Sequence, residues 1–143
     1  MKVVAIVQAR IGSIRLPNKV MKKIGGTPMI EVLLKRLNKS TLLDQIILAT
    51  STDNKNKILI NHVESLGYTC LEGSEHDVLD RYIQAVEKSK ADAVVRITGD
   101  CPLVDPELVD ECVHKFKELD VDYYSNTILP TFPDGLDIEV IKS

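Results

Sequence analysis

Tryptophan is missing from this chain, and only 4% of its residues are aromatic. That argues against a base-stacking nucleic-acid platform, which depends on aromatic faces. A pI near 5.6 argues against a duplex binder as well, although a local basic patch can still hold a small anion. Cysteine is scarce: Cys70, Cys101 and Cys112 make an odd set with no CxxC, so neither a zinc site nor a disulfide frame is indicated. No apolar run approaches about 18 residues, and the start of the chain lacks the charged-then-apolar pattern of a signal peptide. The expectation is a reduced, cytoplasmic chain that neither enters membranes nor binds nucleic acid. Asn38-Lys39-Ser40 fits the glycosylation sequon, and without a secretory signal it is read as chance.

Familiar catalytic and nucleotide motifs are also missing. There is no GxxxxGK[ST] and no GxGxxG after the first strand, which disfavours a P-loop protein and a dinucleotide fold. No Ser/His/Asp set can be identified. His62, His76 and His114 all fall on expected helices, where packed or surface histidines are far commoner than catalytic ones.

Acidic residues are absent before Glu31, and what stands in their place organises the chain. The first 40 residues hold nine Lys/Arg and one Glu, net +8, while the remainder holds nine and twenty, net −11. Arg10, Arg15, Lys19, Lys22 and Lys23 fall within fourteen residues, just after the apolar run Val3 to Val7. A buried strand that opens into a basic, glycine-containing loop is how an α/β sheet receives a polyphosphate, because ligands sit at the carboxyl ends of strands. Arginine grips phosphate oxygens as a bidentate fork, and lysine adds a mobile point charge.

The rest of the chain alternates strands and helices. Thr27 and Pro28 are expected to cap and start a helix whose stripe is Ile30, Leu33, Leu34 and Leu37. A strand at Gln45 to Thr50 precedes a helix from Ser51-Thr52-Asp53 to Leu66, closed by Gly67. Lys55 and Lys57 with Asn54 and Asn56 read as that helix's surface. Tyr68 to Leu71 reads as a strand, followed by a helix from His76 to Lys90 with the stripe Leu79, Tyr82, Ile83 and Val86. A strand at Ala93 to Thr98 ends at Gly99-Asp100. Asp105 then caps a helix to Leu119 whose inward face is Val109, Cys112, Val113 and Phe116. Strands at Val121 to Ser125 and from Ile138 to Ile141 complete the pattern. Such alternation predicts a three-layer, mostly parallel sheet covered by helices on both faces. The last strand begins so near the end that residues 1–143 are expected to be the amino-terminal portion of a longer domain.

Two features converge on chemistry. One is the basic loop. The other is Asp100, a carboxylate at the carboxyl end of a buried strand, where Gly99 would let backbone approach a ligand. One carboxylate plus substrate phosphates is a common way to hold Mg²⁺.

The residues Ala9-Arg10-Ile-Gly12-Ser13-Ile-Arg15-Leu16-Pro17-Asn-Lys19 and Gly25-Gly26-Thr-Pro28 resemble the opening signature of the cytidylyltransferases that activate acidic sugars. These include the CMP-sialic acid and CMP-KDO synthetases. The nearest branch is the spore coat polysaccharide synthesis protein F group, matched further by Gly73-Ser74-Glu-His-Asp77-Val-Leu-Asp80-Arg81-Tyr82. Gly99-Asp100-Cys-Pro102-Leu103, Asp122-Tyr-Tyr-Ser125-Asn126 and Pro133-Asp134-Gly135-Leu-Asp137-Ile-Glu139 extend the match over the whole chain. The resemblance implies a GT-A-like, Rossmann-like nucleotidyltransferase that moves CMP from CTP to a sugar, with release of pyrophosphate, in surface polysaccharide synthesis. It implies that Arg10, Arg15 and Lys19 contact the triphosphate and that Asp100 binds Mg²⁺. Ala9, Gly12, Ser13, Ser74, Thr98 and Gly99 would line the nucleotide, and Asp134, Asp137 and Glu139 would face the sugar. Asp77 and Arg81 are motif positions without an assigned role. Thr98 stands where the KDO enzymes usually carry a base-reading glutamine, so cytosine comes from the family and not from a visible reader. Family members run longer, and the further portion supplies a second metal ligand and, in many, homodimer contacts. The alternatives are a GT-A glycosyltransferase, whose DxD would have to be Asp120-Val-Asp122, and a non-catalytic nucleotide-binding fragment.

Overall fold

The structure is a computed structural model that describes residues 1–12 and 14–143. Its centre is β1 (Val3–Gln8), in which Val3 to Val7 are all fully buried. A strand apolar on both faces must be covered on both faces. It pairs in parallel with β4 (Gln45–Ser51) on one side and β6 (Ala93–Thr98) on the other, with β5 (Thr69–Gly73) parallel and outside β4. Beyond β6 the direction changes. The strand β8 (Glu139–Lys142) runs antiparallel to β6, and β7 (Tyr123–Ser125) antiparallel to β8. The six-stranded order is β5-β4-β1-β6-β8-β7, a mixed and mostly parallel sheet.

The two faces are covered unequally. Val3, Ala5 and Val7 pack with helices α1 (Met29–Leu37), α2 (Lys57–Ser65) and α4 (Pro106–Leu119). Val4, Ile6, Ile47 and Ala49 pack with α3 (Val78–Ser89), through Ala85, Tyr82 and Val86. The helix α3 lies over β5, β4 and β1. The other half of that face carries the polar residues Arg96, Glu139 and Tyr123.

The ends of the helices follow from local chemistry. Asp105 caps α4 by accepting from the N–H of Glu107 and Leu108, with Pro106 as first helical residue. The helix α2 closes in a Schellman arrangement: Gly67 N–H donates to Glu64 and Tyr68 N–H to Val63, with Gly67 at φ 88°.

Several expectations needed correction. Thr27–Pro28 is not a cap but β3, paired with β2 (Lys23–Ile24) around Gly25 and Gly26, both at positive φ as a two-residue hairpin turn demands. Pro28 is therefore the residue before α1, and Met29 N–H is satisfied by the Lys22 carbonyl at 2.8 Å. Asp53 caps a short 3-10 turn (Asn54–Asn56) ahead of α2, so that helix starts later than its composition indicated. Asn56 is not helix surface but 1% exposed. Asp77 is the cap of α3, accepting from Asp80 N–H, which leaves His76 outside the helix.

The face of α3 is the largest difference. Leu79 and Ile83 are 68% and 48% exposed, whereas Arg81 is 3% exposed. The stem of Arg81 lies against Gly73, where an added Cβ would stand 2.8 Å from Arg81 Cγ, and its Nη1 donates to the Ser74 carbonyl at 2.9 Å. A helix that seats a guanidinium inward is rotated away from its apolar stripe, and hydrophobic periodicity does not register that.

Candidate active site

The rim of the sheet forms where β1 and β6 end side by side. Gly99 N–H donates to the Gln8 carbonyl at 2.8 Å, and Ala9 N–H to the Ala49 carbonyl at 3.2 Å. A Cβ at Gly99 would lie 2.5 Å from Ala9 Cβ and 2.8 Å from the Gln8 carbonyl oxygen. Glycine is needed there because two chain segments meet.

From this rim the basic loop departs and returns. Its first residues are pinned by the side chain of Asn56, whose Oδ1 accepts from Ile11 N–H at 2.8 Å. Asn56 Nδ2 in turn donates to the Ser51 carbonyl and to Ser51 Oγ at 2.9 and 2.8 Å. At the far end Asn18 takes a left-handed conformation (φ 56°), Lys19 N–H donates to the Leu16 carbonyl, and Val20 is buried. The loop is thus tied to the body near Ile11 and again at Val20. The anchoring asparagine was not legible in sequence, because a polar residue between two lysines reads as solvent-facing.

Between loop and rim lies a cleft of about 600 Å³. Among the described residues that line it, the cations are Arg10, Arg15, Lys19, Arg81 and Arg96, and the one carboxylate is Asp100. Lys19 Nζ stands 2.8 Å from Asp100 Oδ2, closing a contact between residues 81 apart in sequence. The hydrogen bond from Lys19 is the main reason that the Asp100 carboxyl lies below the usual carboxylate range, against some opposition from burial. Thr98 Oγ1 is 3.0 Å from Cys101 Sγ. Burial, opposed by that contact, and then the negative charge of Asp100, Asp137 and Asp134 push the Cys101 thiol up.

The expected residues divide as follows. Ala9, Arg10, Arg15, Lys19, Thr98, Gly99 and Asp100 all line the cleft. Gly12 is exposed and not part of the lining, and Ser13 lies outside the described residues. Ser74 is set back behind Arg81, its carbonyl bonded to that guanidinium and its hydroxyl accepting from Asp77 N–H. Asp134 and Asp137 are exposed. Glu139 accepts from Arg96 Nη1 and from Tyr123 Oη, the latter at 2.9 Å, so it stands behind a cleft cation. Asp120 is the left-handed cap at the end of α4, and Asp122 pairs with Lys142, as surface residues do. His62 bonds Glu31 at 3.0 Å, outside the cleft.

No group of three or more His, Cys, Asp or Glu side chains fit to hold a metal occurs among the described residues. Asp100 alone, a half-exposed and ionised carboxylate beside a cationic cleft, fits Mg²⁺ in the one-carboxylate manner that leaves other positions to phosphate and water. No helix among the described residues is long and apolar enough to cross a membrane.

A mostly parallel α/β sheet with a cationic loop and one carboxylate at its carboxyl rim is the architecture of a polyphosphate-binding protein. The cytidylyltransferase family profile matches residues 4–134, and the chain belongs to that family. It is 44% identical over 142 residues to an uncharacterized protein of Methanocaldococcus jannaschii, covering 98% of this chain and 56% of that protein. It is 35% identical over 142 residues to the spore coat polysaccharide biosynthesis protein SpsF of Bacillus subtilis, covering 96% and 58%. A cytidylyltransferase structure from Leptospira borgpetersenii superimposes with a TM-score of 0.94 at 33% identity, over 99% of this chain and 60% of that one. The chain therefore spans a little over half the length of these relatives.

Proposed function

We propose that the chain carries the CTP-binding portion of an enzyme that transfers CMP to a sugar hydroxyl with release of pyrophosphate. The observation that carries this reading is the Lys19–Asp100 contact inside a cleft shared with Arg10 and Arg15. Three flexible cations from one loop can wrap the β- and γ-phosphates, and Asp100 would hold Mg²⁺ on the facing side. Bound there, the ion would neutralise phosphate charge.

In the reaction the sugar hydroxyl oxygen forms a bond to the α-phosphorus while the bond from that phosphorus to the bridging oxygen breaks. Pyrophosphate departs with the electron pair, and the hydroxyl proton passes to solvent. Arg10, Arg15 and Lys19 stabilise the charge that grows on the departing group, so positioning and electrostatics supply the rate without a covalent nucleophile. The sugar is taken up on the side where Asp134, Asp137 and Glu139 lie. The family resemblance points to an acidic sugar, and a polysaccharide role accords with the name of the Bacillus relative.

The test is turnover of α-³²P-labelled CTP by the uninterrupted protein with a panel of sugar acids and neutral sugars. Label appearing on a sugar, with one pyrophosphate per transfer, is expected. CTP that binds and is never transferred to any sugar, or label transferred from another nucleotide in its place, would overturn the reading.

A further inference from the structure

Arg81 is a cation that the polyphosphate account does not use. It is 3% exposed, yet it appears in none of the ion pairs among the described residues. Arginine is almost never fully buried unless paired. Its Nη1 is engaged by the Ser74 carbonyl, while its Nε is buried and has no hydrogen-bond partner. Each such orphan in a well-packed protein calls for an explanation, and an absent ligand is one. The side chain lines the same cleft as Lys19 and Asp100.

Its surroundings are built to keep it there. Gly73 leaves room for the stem, since any Cβ would collide with Arg81 Cγ at 2.8 Å. Asp77, which might have paired with it, is committed to capping α3, and Asp80 accepts from Gln84. The guanidinium therefore keeps its remaining donors for something outside the protein.

Position then narrows the ligand group. The phosphate-gripping residues come from the loop above the rim. Arg81 comes from α3, on the face of the sheet where Val4 and Ile6 of β1 and Val94 of β6 pack, the face that Gln8, Arg96 and Thr98 continue by alternation. A nucleotide held by its phosphates at the loop has its base left to occupy that floor. With Nη1 engaged and Nε buried, Nη2 is the donor left to meet a ligand, and a small turn of the guanidinium would bring the parallel Nε–H beside it. Cytosine offers two adjacent acceptors, O2 and N3, whereas uracil carries a hydrogen on N3.

We propose that Arg81 is the base-reading residue of this chain, donating from its Nε edge to cytosine O2 and N3, with the Gly73–Ser74 corner as its seat. This rests on the nucleotide occupying the cleft as described above.

The experiment is calorimetric titration of CTP and UTP, each with Mg²⁺, into the wild-type chain and into Arg81→Lys, Gly73→Ala and Lys19→Ala, with circular dichroism and Tm to check folding. Arg81→Lys keeps charge and loses the fork. Gly73→Ala keeps the guanidinium and displaces it. Both should weaken CTP by about tenfold or more, the value of a good bidentate base contact, and bring CTP and UTP close together. Lys19→Ala should weaken both nucleotides alike. Folded Arg81→Lys or Gly73→Ala protein that keeps CTP affinity and preference would overturn the proposal. Equal losses for CTP and UTP would overturn it too, by assigning Arg81 to ribose or phosphate. Should Arg81→Lys fail to fold, Gly73→Ala decides alone. A wild-type chain that binds neither nucleotide would instead defeat the functional reading.

Discussion

Lys19 Nζ and Asp100 Oδ2 face each other at 2.8 Å across the rim of the sheet, the loop's last cation resting on the one carboxylate among the described residues of the cleft. In the proposed complex both groups have other partners: Lys19 a phosphate, Asp100 a metal ion. Either ligand arriving first must break the pair, and in doing so it frees the other group. Metal and nucleotide are thereby coupled.

Lys19→Met is accordingly expected to bind Mn²⁺ alone more tightly than wild type, because Asp100 no longer has a competitor. The same variant should bind CTP about tenfold more weakly, having lost a charge-assisted phosphate contact. Electron paramagnetic resonance of free Mn²⁺ reads the first effect and calorimetry the second. Unchanged Mn²⁺ affinity would show that the ion pair does not guard the carboxylate.

That pair contributes little to stability, since both side chains are partly exposed and solvent screens them. Lys19→Met and Asp100→Asn should each shift unfolding free energy by no more than about 1 kcal/mol. A urea titration checks this, and a much larger loss would recast the pair as structural.

Asn56→Ala should do the reverse. It leaves Ile11 N–H and Ser51 Oγ without their buried partner, at a cost of about 1–3 kcal/mol. It should also weaken CTP binding without touching a phosphate, because the loop loses its tether. An Asn56→Ala protein with wild-type stability and wild-type affinity would contradict the anchoring role.

Two glycines make a matched comparison. Gly99→Ala puts a methyl 2.5 Å from Ala9 Cβ and 2.8 Å from the Gln8 carbonyl, and a strand end cannot easily yield, so a loss of about 1–3 kcal/mol is expected. At Gly12 a methyl meets nothing within 4 Å, and Gly12→Ala should be close to neutral. Urea midpoints for the pair settle it, and equal effects would mean the rim is looser than described.

Asp110 supplies a pH signature. Burial pushes its carboxyl up, but hydrogen bonds from Ser40, Thr41 and Leu42 outweigh that and leave it below the usual range. A depressed folded pKa gives stability that is present above the unfolded value, about 3.9, and is lost as pH falls through the folded one. Wild type should therefore exceed Asp110→Asn in stability at pH 6, and that margin should shrink steadily as pH falls below about 3.9. A margin independent of pH would mean that shape, and not charge, holds the Ser40–Leu42 turn.

Much of this was legible in the residues. The buried run Val3 to Val7 marked the central strand, the early cations marked the loop, and Gly99-Asp100 marked the rim opposite. What escaped the sequence has one physical cause. Asn56 and Arg81 are polar residues that the fold buries against backbone groups, and composition assigns such residues to solvent. The apolar Leu79 and Ile83 were misplaced for the complementary reason: Arg81 had taken the inward face of α3. Thr27–Pro28 went astray because the turn at Gly25 and Gly26 closes a hairpin, so Lys22 satisfies the start of α1 without a side-chain cap.

The most direct test of the shared grip is calorimetry of CTP with and without Mg²⁺ on wild type, Arg15→Ala, Lys19→Ala and Asp100→Ala. The account predicts that the two loop variants weaken CTP by about tenfold or more, the value of a charge-assisted contact in such a site, and that Asp100→Ala removes the dependence on Mg²⁺. Wild-type affinity in both loop variants, together with Mg²⁺ dependence that survives the loss of Asp100, would contradict it.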